Sequence, residues 1–205
     1  MPVIDERIKD IYEKYIYVIC PYILQYELLD NTFPIEILNE IRAVFTHIAK
    51  CYLSEDTLIK EKNLSKAENH IKRTILDCYK YICVAYEDKY AEFGRKYRRI
   101  DLSLVDNGEF LPKLLENHKY ATDLMQEARK SDLLITSDDE VSIGEAYKKY
   151  EAAFIAYSSV YNLINNSYKK IEYIRKKAVL KKYIAIAGWI LSIVLAIIFY
   201  LFPNK

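Results

Sequence analysis

The sequence predicts an all-α protein, a helical bundle whose long last helix continues into a single transmembrane helix. Three observations carry that expectation. The 205 residues include only 4 glycines and 5 prolines, too few turn-formers for a sandwich, a barrel or a nucleotide-binding α/β fold. Apolar residues recur at helical spacing over long uninterrupted stretches. The segment from Tyr183 to Phe202, YIAIAGWILSIVLAIIFYLF, has twenty residues and no charge. As a helix it is ~30 Å long, the thickness of a bilayer core. The composition, 52% apolar and 29% charged, excludes a disordered tail. Neither GxGxxG nor GxxxxGK[ST] occurs, which excludes the Gly-rich phosphate loops.

The first helix is expected over about Ile4 to Leu29, bent near Pro21, with Tyr15 to Leu24 as a buried, kinked stretch too short to span a membrane. Asn31-Thr32-Phe33-Pro34 reads as a turn, Pro34 suiting the first position of the next helix. That helix runs from Ile35 to about Leu53, with Ile37, Ile41, Val44, Ile48 and Tyr52 on one face. A charged connector, Ser54 to Lys62, leads to a third helix, for which Ser65 and Glu68 form a capping box. Its apolar series Leu64, Ile71, Ile75, Cys78, Ile82 and Ala85 continues to about Phe93-Gly94. Arg95 to Gly108 reads as irregular, and a fourth helix covers about Leu111 to Lys130. Residues 1–136 thus form a helical body, 137–182 a Tyr-rich heptad helix packed on it, and 183–202 the transmembrane helix.

The last helix has an acidic start, Ser137-Asp138-Asp139-Glu140. After it Ile143, Tyr147, Tyr150, Phe154, Tyr157, Tyr161, Ile164, Tyr168 and Ile171 alternate spacings of four and three, a seam of period 3.5. No proline separates this seam from the apolar span, so the two can form one helix of ~59 residues and ~88 Å. Tyrosine hydroxyls need partners, which suits packing against the body better than a tight two-stranded coil. Most of the 20 tyrosines are expected in the bundle core with wet tips.

Charge is uneven although the net is +1. Residues 169–182 carry seven basic side chains against Glu172 alone, whereas residues 1–168 carry 22 basic and 28 acidic groups. Basic flanks stay cytoplasmic, so the body should face the cytosol; the polar, acidic start MPVIDERIKD does not read as a signal peptide. Within the span Gly188, Ser192 and Ala196 recur every fourth residue, a small-residue stripe on which anchors can associate or which arises by chance composition. Cys20, Cys51, Cys78 and Cys83 lie in apolar patterns and read as free buried thiols of a reducing compartment.

Candidate chemistry is sparse. The histidines are His47, His70 and His118, with no HxxxH or HExxH spacing, and no metal or other cofactor is expected. His118 sits in a polar stretch and is expected to be exposed. Arg42 and His47 form an R-x4-H pair in EIRAVFTH, and His70, Arg73 and Asp77 share one face of the next helix as a polar constellation or a register-setting ion pair. Five residues along a helix rotate by ~500°, so Arg42 and His47 point some 140° apart. Arg95, Lys96, Arg98 and Arg99 crowd around Tyr97, and together with Lys181 and Lys182 are candidates for contact with lipid or RNA phosphate.

R-x4-H at Arg42 and His47 resembles the signature of HEPN domains, small helical bundles of which many dimerise and cut RNA. In that chemistry a His shuttles a proton while an Arg stabilises the phosphorane charge. Ala43 stands where HEPN nucleases usually place a polar residue. A HEPN-like bundle with a membrane helix resembles the membrane accessory proteins encoded beside RNA-targeting type VI-B CRISPR effectors, and other membrane-anchored effectors of bacterial antiphage defence. The resemblance implies a homo-oligomer in the bacterial inner membrane that perturbs membrane integrity as a pore-like, non-enzymatic effector. Its partners would be the lipid bilayer, further copies of the chain, and RNA or an RNA-guided defence complex. A membrane-tethered HEPN-type ribonuclease and a tail-anchored scaffold are the alternatives.

Overall fold

The computed structural model describes residues 2–133 and 140–201, with side chains over 4–133 and 144–201. The start Ser137-Asp138-Asp139, the side chain of Ile143 and the end of the span at Phe202 lie outside the described residues. Among the described residues there are six α-helices: α1 (Pro2–Lys14), α2 (Cys20–Asp30), α3 (Ile35–Leu53), α4 (Thr57–Tyr97), α5 (Phe110–Asp132) and α6 (Glu140–Leu201). No strand occurs among the described residues. A π-turn, Tyr15–Ile19, joins α1 to α2, and a short 3-10 segment, Leu102–Gly108, precedes α5.

The π-turn answers the proline at position 21. Pro21 has no N–H, and its ring would collide with the carbonyl four residues back. The Cys20 N–H bonds the Tyr15 carbonyl, five residues back, which widens the helix just before the proline. The stretch expected to be buried is instead one-sided. Ile19 is fully buried, while Ile16 and Leu24 are exposed and Tyr17 is 75% exposed. Asn31 then turns the chain with φ 59°, a left-handed position that asparagine tolerates. Pro34 occupies the cap rather than the first helical position, and α3 begins at Ile35.

Helix α4 is the spine. It has 41 residues and is ~62 Å long. It begins eight residues before the expected capping box. Asp56 is the cap, its carboxylate accepting from the Leu58 N–H at 2.8 Å and the Ile59 N–H at 3.5 Å. Ser65 and Glu68 lie inside α4 and meet α1 instead: the Arg7 Nε donates to Glu68 at 2.7 Å and its other arm to Glu61 at 2.7 Å. The guanidinium is bidentate on Glu68, and with the helix already capped at Asp56 neither Ser65 nor Glu68 has a helix end to cap. Around this spine α1–α2 and α6 run parallel, as Tyr22–Tyr79, Gln25–Tyr86, Tyr79–Tyr147 and Tyr97–Glu172 contacts show. Helices α3 and α5 run antiparallel, through Glu40–His70, His47–Asn63, Glu87–His118 and Lys80–Asp132. On α3 the inward face is Ile37, Ile41, Val44, Ile48 and Cys51, and Tyr52 turns outward at 60% exposure. The step from Ile48 is three residues, not four, because a 3.6 period must alternate the two.

Helix α6 is continuous over 62 residues, ~93 Å. Its seam packs on the body. Tyr150, Tyr157, Ile164 and Ile171 are buried. Tyr147, Phe154 and Tyr161 flank them against Tyr79 and Tyr86 of α4. The hydroxyls find partners: Tyr79 with Tyr22 at 3.1 Å, Tyr150 with Asp132 at 3.4 Å, Tyr157 with Thr122 at 3.5 Å. A third line, Ala146, Ala153, Val160 and Ser167, is buried too and lets the neighbouring backbone approach. The sequence reading did not single it out.

Candidate functional site

From Tyr183 to Leu201 α6 leaves the body altogether. Fourteen large apolar side chains in that stretch are exposed, and no residue of its most apolar window is buried. Sheltering a side chain of this size from water is worth ~1.5 kcal/mol or more, so the stretch as a whole forgoes on the order of 20 kcal/mol in water. That exceeds the net stability of a typical domain, ~5–15 kcal/mol. One helix of the chain is therefore long and apolar enough to cross a membrane, which supports single-pass anchoring. Inside it Gly188, Ser192 and Ala196 are all exposed on the free helix. The Ser192 hydroxyl donates to the Gly188 carbonyl at 2.9 Å, four residues back, so its polarity is spent within its own helix. Nothing lies within 4 Å of the position a Gly188 side chain would occupy.

A basic collar precedes the span. Glu172, its one acid, is tied down by Tyr97 of α4, by Arg175 at 2.7 Å and by Lys96 at 3.3 Å. Those donors, Tyr97 first, hold its carboxyl below the usual carboxylate range. Lys96 also sits 5.0 Å over the Tyr97 ring and 5.3 Å over the Tyr168 ring. It therefore clamps the end of α4 to α6, whereas Arg95, Arg98 and Arg99 stay exposed, as do Lys181 and Lys182. After α4 the chain turns through Asp106, Asn107 and Gly108, all with positive φ. These residue types tolerate that region best. Asp106 is salt-bridged to Lys170, which pins the loop against α6.

The second cluster lies at the opposite end of the body. The His47 Nδ1 meets the Asn63 Oδ1 at 2.9 Å, and the His70 Nδ1 donates to the Glu40 carboxylate at 2.6 Å. The two rings stack at 5.3 Å between centroids. Glu40 thus holds the His70 ring in place through Nδ1. Arg42 is exposed on another face of α3, and within one chain it does not converge with His47. Asp77 faces Lys80 at 3.5 Å, and Lys80 reaches Asp132 at 2.8 Å. Burial pushes the Asp77 carboxyl up, and Lys80 partly opposes it. Arg73 is also engaged. His118, expected to be exposed, is half-buried: it stacks on Tyr90 at 3.6 Å and bonds Glu87 at 2.8 Å. An aromatic partner on another helix could not be seen from the polar residues around it.

All four cysteines are free, and Cys51, Cys78 and Cys83 are buried. Burial pushes the Cys78 and Cys83 thiols up to about 12, which keeps them protonated and unreactive at neutral pH. Among the described residues no group of His, Cys, Asp and Glu is arranged to hold a metal ion. Comparison with protein-family models, curated proteins and solved structures finds no match to this chain.

Proposed function

We propose that the chain is a membrane-anchored, homo-oligomeric effector that perturbs membrane integrity without catalysis, its body in the cytosol of a bacterial cell. The observation that carries this reading is the continuity of α6, whose 62 residues pass from the bundle core into the apolar span without a break. A helix packed at one end and free at the other transmits any rearrangement of the body to the bilayer. The basic collar supports a cytosolic body, since Lys and Arg flanks are retained on that side.

A single span of Ile, Leu and Val conducts nothing, so membrane disturbance requires several copies. The Gly188, Ser192 and Ala196 stripe is where helix backbones can approach in lipid. With the Ser192 hydroxyl turned onto its own helix, close packing rather than hydrogen bonding would hold the copies together. The resemblance to antiphage membrane effectors supplies the setting, a defence response that disables the infected cell.

The test uses the full chain in detergent and in vesicles of phosphatidylethanolamine and phosphatidylglycerol. The expected result is a multimer by light scattering and release of an encapsulated dye. Gly188→Leu with Ser192→Leu should reduce the multimer and abolish release, while Arg42→Ala with His47→Ala should change neither. RNA cleavage that is lost with Arg42→Ala and His47→Ala would establish the ribonuclease alternative instead. Dye release that survives Gly188→Leu with Ser192→Leu would contradict the assembly surface.

A further inference from the structure

Helix α3 has two apolar lines, and the body covers one of them. Beside the buried Ile37, Ile41, Val44 and Ile48 runs a second line, Ile35, Leu38, Arg42, Phe45, Ala49 and Tyr52, whose spacings alternate three and four. Its large apolar side chains stay bare: Ile35 is 63% exposed, Leu38 50%, Phe45 40% and Tyr52 60%. Phe45 meets the Tyr12 ring of α1 at 6.1 Å, and Tyr12 and Ile16, 41% and 51% exposed, continue the surface. We infer that this line is the contact with a second copy of the chain, α3 pairing with the α3 of its partner in parallel about a two-fold axis along the membrane normal. The inference rests on the reading of Tyr183–Leu201 as lipid-embedded, and it adds a body interface to the assembly proposed for the span.

Position excludes lipid as the occupant. The Glu40–His70 bond sets α3 against α4 at a level 27 residues before Tyr97, ~40 Å along the bundle. Tyr97 in turn meets Glu172, 11 residues or ~16 Å short of Tyr183. Because α3 runs antiparallel to α4, Ile35 is the end nearest the span, and it is still ~40 Å or more away. The headgroup layer reaches only about 5–7 Å beyond the hydrocarbon. Area favours a second copy. Six large side chains, each about half bare, present ~600 Å² per copy, against ~800 Å² per partner in a stable complex. Arg42, Thr46 and Ala49, also exposed, border them. Period selects the geometry. A seam of 3.5 residues matches another helix lying alongside. Two anchors inserted the same way can share a two-fold axis only along the membrane normal, and that axis keeps their helices parallel and in register. Leu38, Phe45 and Tyr52 then each meet their own counterpart. Charge agrees. Glu36, Glu40 and Lys50 lie off the seam, and Arg42 is its single charge, the kind of lone polar residue that fixes register in a parallel pair. His47 stays on the side of α3 that faces Asn63 and His70, so the pairing creates no joint Arg–His site.

The full chain carrying Cys20→Ser, which removes the one thiol that is not buried, is reconstituted in vesicles of phosphatidylethanolamine and phosphatidylglycerol and oxidised with copper phenanthroline. Ala49→Cys should give a disulfide-linked dimer, since in-register helices bring the two positions into the range a disulfide spans, ~4.4–6.8 Å between Cα atoms. Lys50→Cys, exposed but turned ~100° from it, should not. Leu38→Glu with Tyr52→Glu places unpaired carboxylates opposite one another and should weaken pairing on the order of a hundredfold, read as loss of the Ala49→Cys cross-link. Tyr17→Glu with Leu28→Glu changes side chains that are 75% and 88% exposed away from the seam and should leave the cross-link intact. The cross-link should also survive Gly188→Leu with Ser192→Leu, which separates this interface from packing of the span. No cross-link at position 49, equal cross-linking at position 50, a cross-link that survives Leu38→Glu with Tyr52→Glu, or one lost with Gly188→Leu and Ser192→Leu overturns the pairing while the chain remains in the membrane fraction. A chain found outside the membrane fraction would overturn the anchoring itself, so the two failures are distinguishable.

Discussion

Residues 146–171 and 183–201 belong to one helix, yet they follow different patterns. The first stretch is apolar on one side only, with Tyr150, Tyr157, Ile164 and Ile171 buried and Lys169 and Lys170 exposed. The second is apolar all round and buried nowhere. A period of 3.5 says that the helix meets other helices, and the loss of any period says that it meets a uniform apolar solvent. Between them the basic collar marks the boundary, and the clamp of Tyr97, Lys96 and Arg175 on Glu172 fastens the body just above it. The helix thus records the change of environment along its own length.

The contrast can be broken at either end. The largest effect is expected from Leu191→Arg with Leu195→Arg, which places two guanidinium groups in mid-span at a cost of about 6 kcal/mol. Membrane pelleting of the expressed chain should fall, while circular dichroism shows a folded body. Tyr150→Ala does the reverse. It empties a fully buried site worth about 3–4 kcal/mol, lowering the melting temperature of the body, and the chain should remain in the membrane.

Two smaller effects sharpen the boundary through pH. Glu172 has its folded pKa depressed, so its contribution is complete above the unfolded value near 4.5 and is lost as pH falls through the lower folded value. Glu172→Gln should lower the melting temperature at pH 7, and the difference from the unmodified chain should close as pH falls through that lower value. Asp77 has the opposite sign. Its folded pKa is raised, so stability is lost as pH rises through it, and the ionised carboxylate costs stability at neutral pH. Asp77→Asn should raise stability at pH 7 by less than about 1 kcal/mol and have no effect at pH 3.

The features legible in the sequence are those set by period and composition. The limits of α3, the apolar series of α4, the seam of α6 and its passage into the span all follow from apolar spacing. What was not legible depends on partners distant in the chain. Ser65 and Glu68 fit a capping box by spacing alone, and only the approach of Arg7 from α1 gives them another role. His118 looked exposed because its stacking partner, Tyr90, belongs to a different helix. The His47–His70 stack requires α3 to run antiparallel along α4, which no local pattern encodes. The Asp106–Lys170 pair likewise exists because the loop after α4 folds onto α6, and neither segment announces it.

The account stands on the residence of Tyr183–Leu201 in lipid. Cells producing the full chain are broken, and the membranes are washed with high salt and then with alkaline carbonate. The chain should stay in the pellet through both washes and leave it only with detergent. Release by carbonate or by salt would show a peripheral protein and contradict the account.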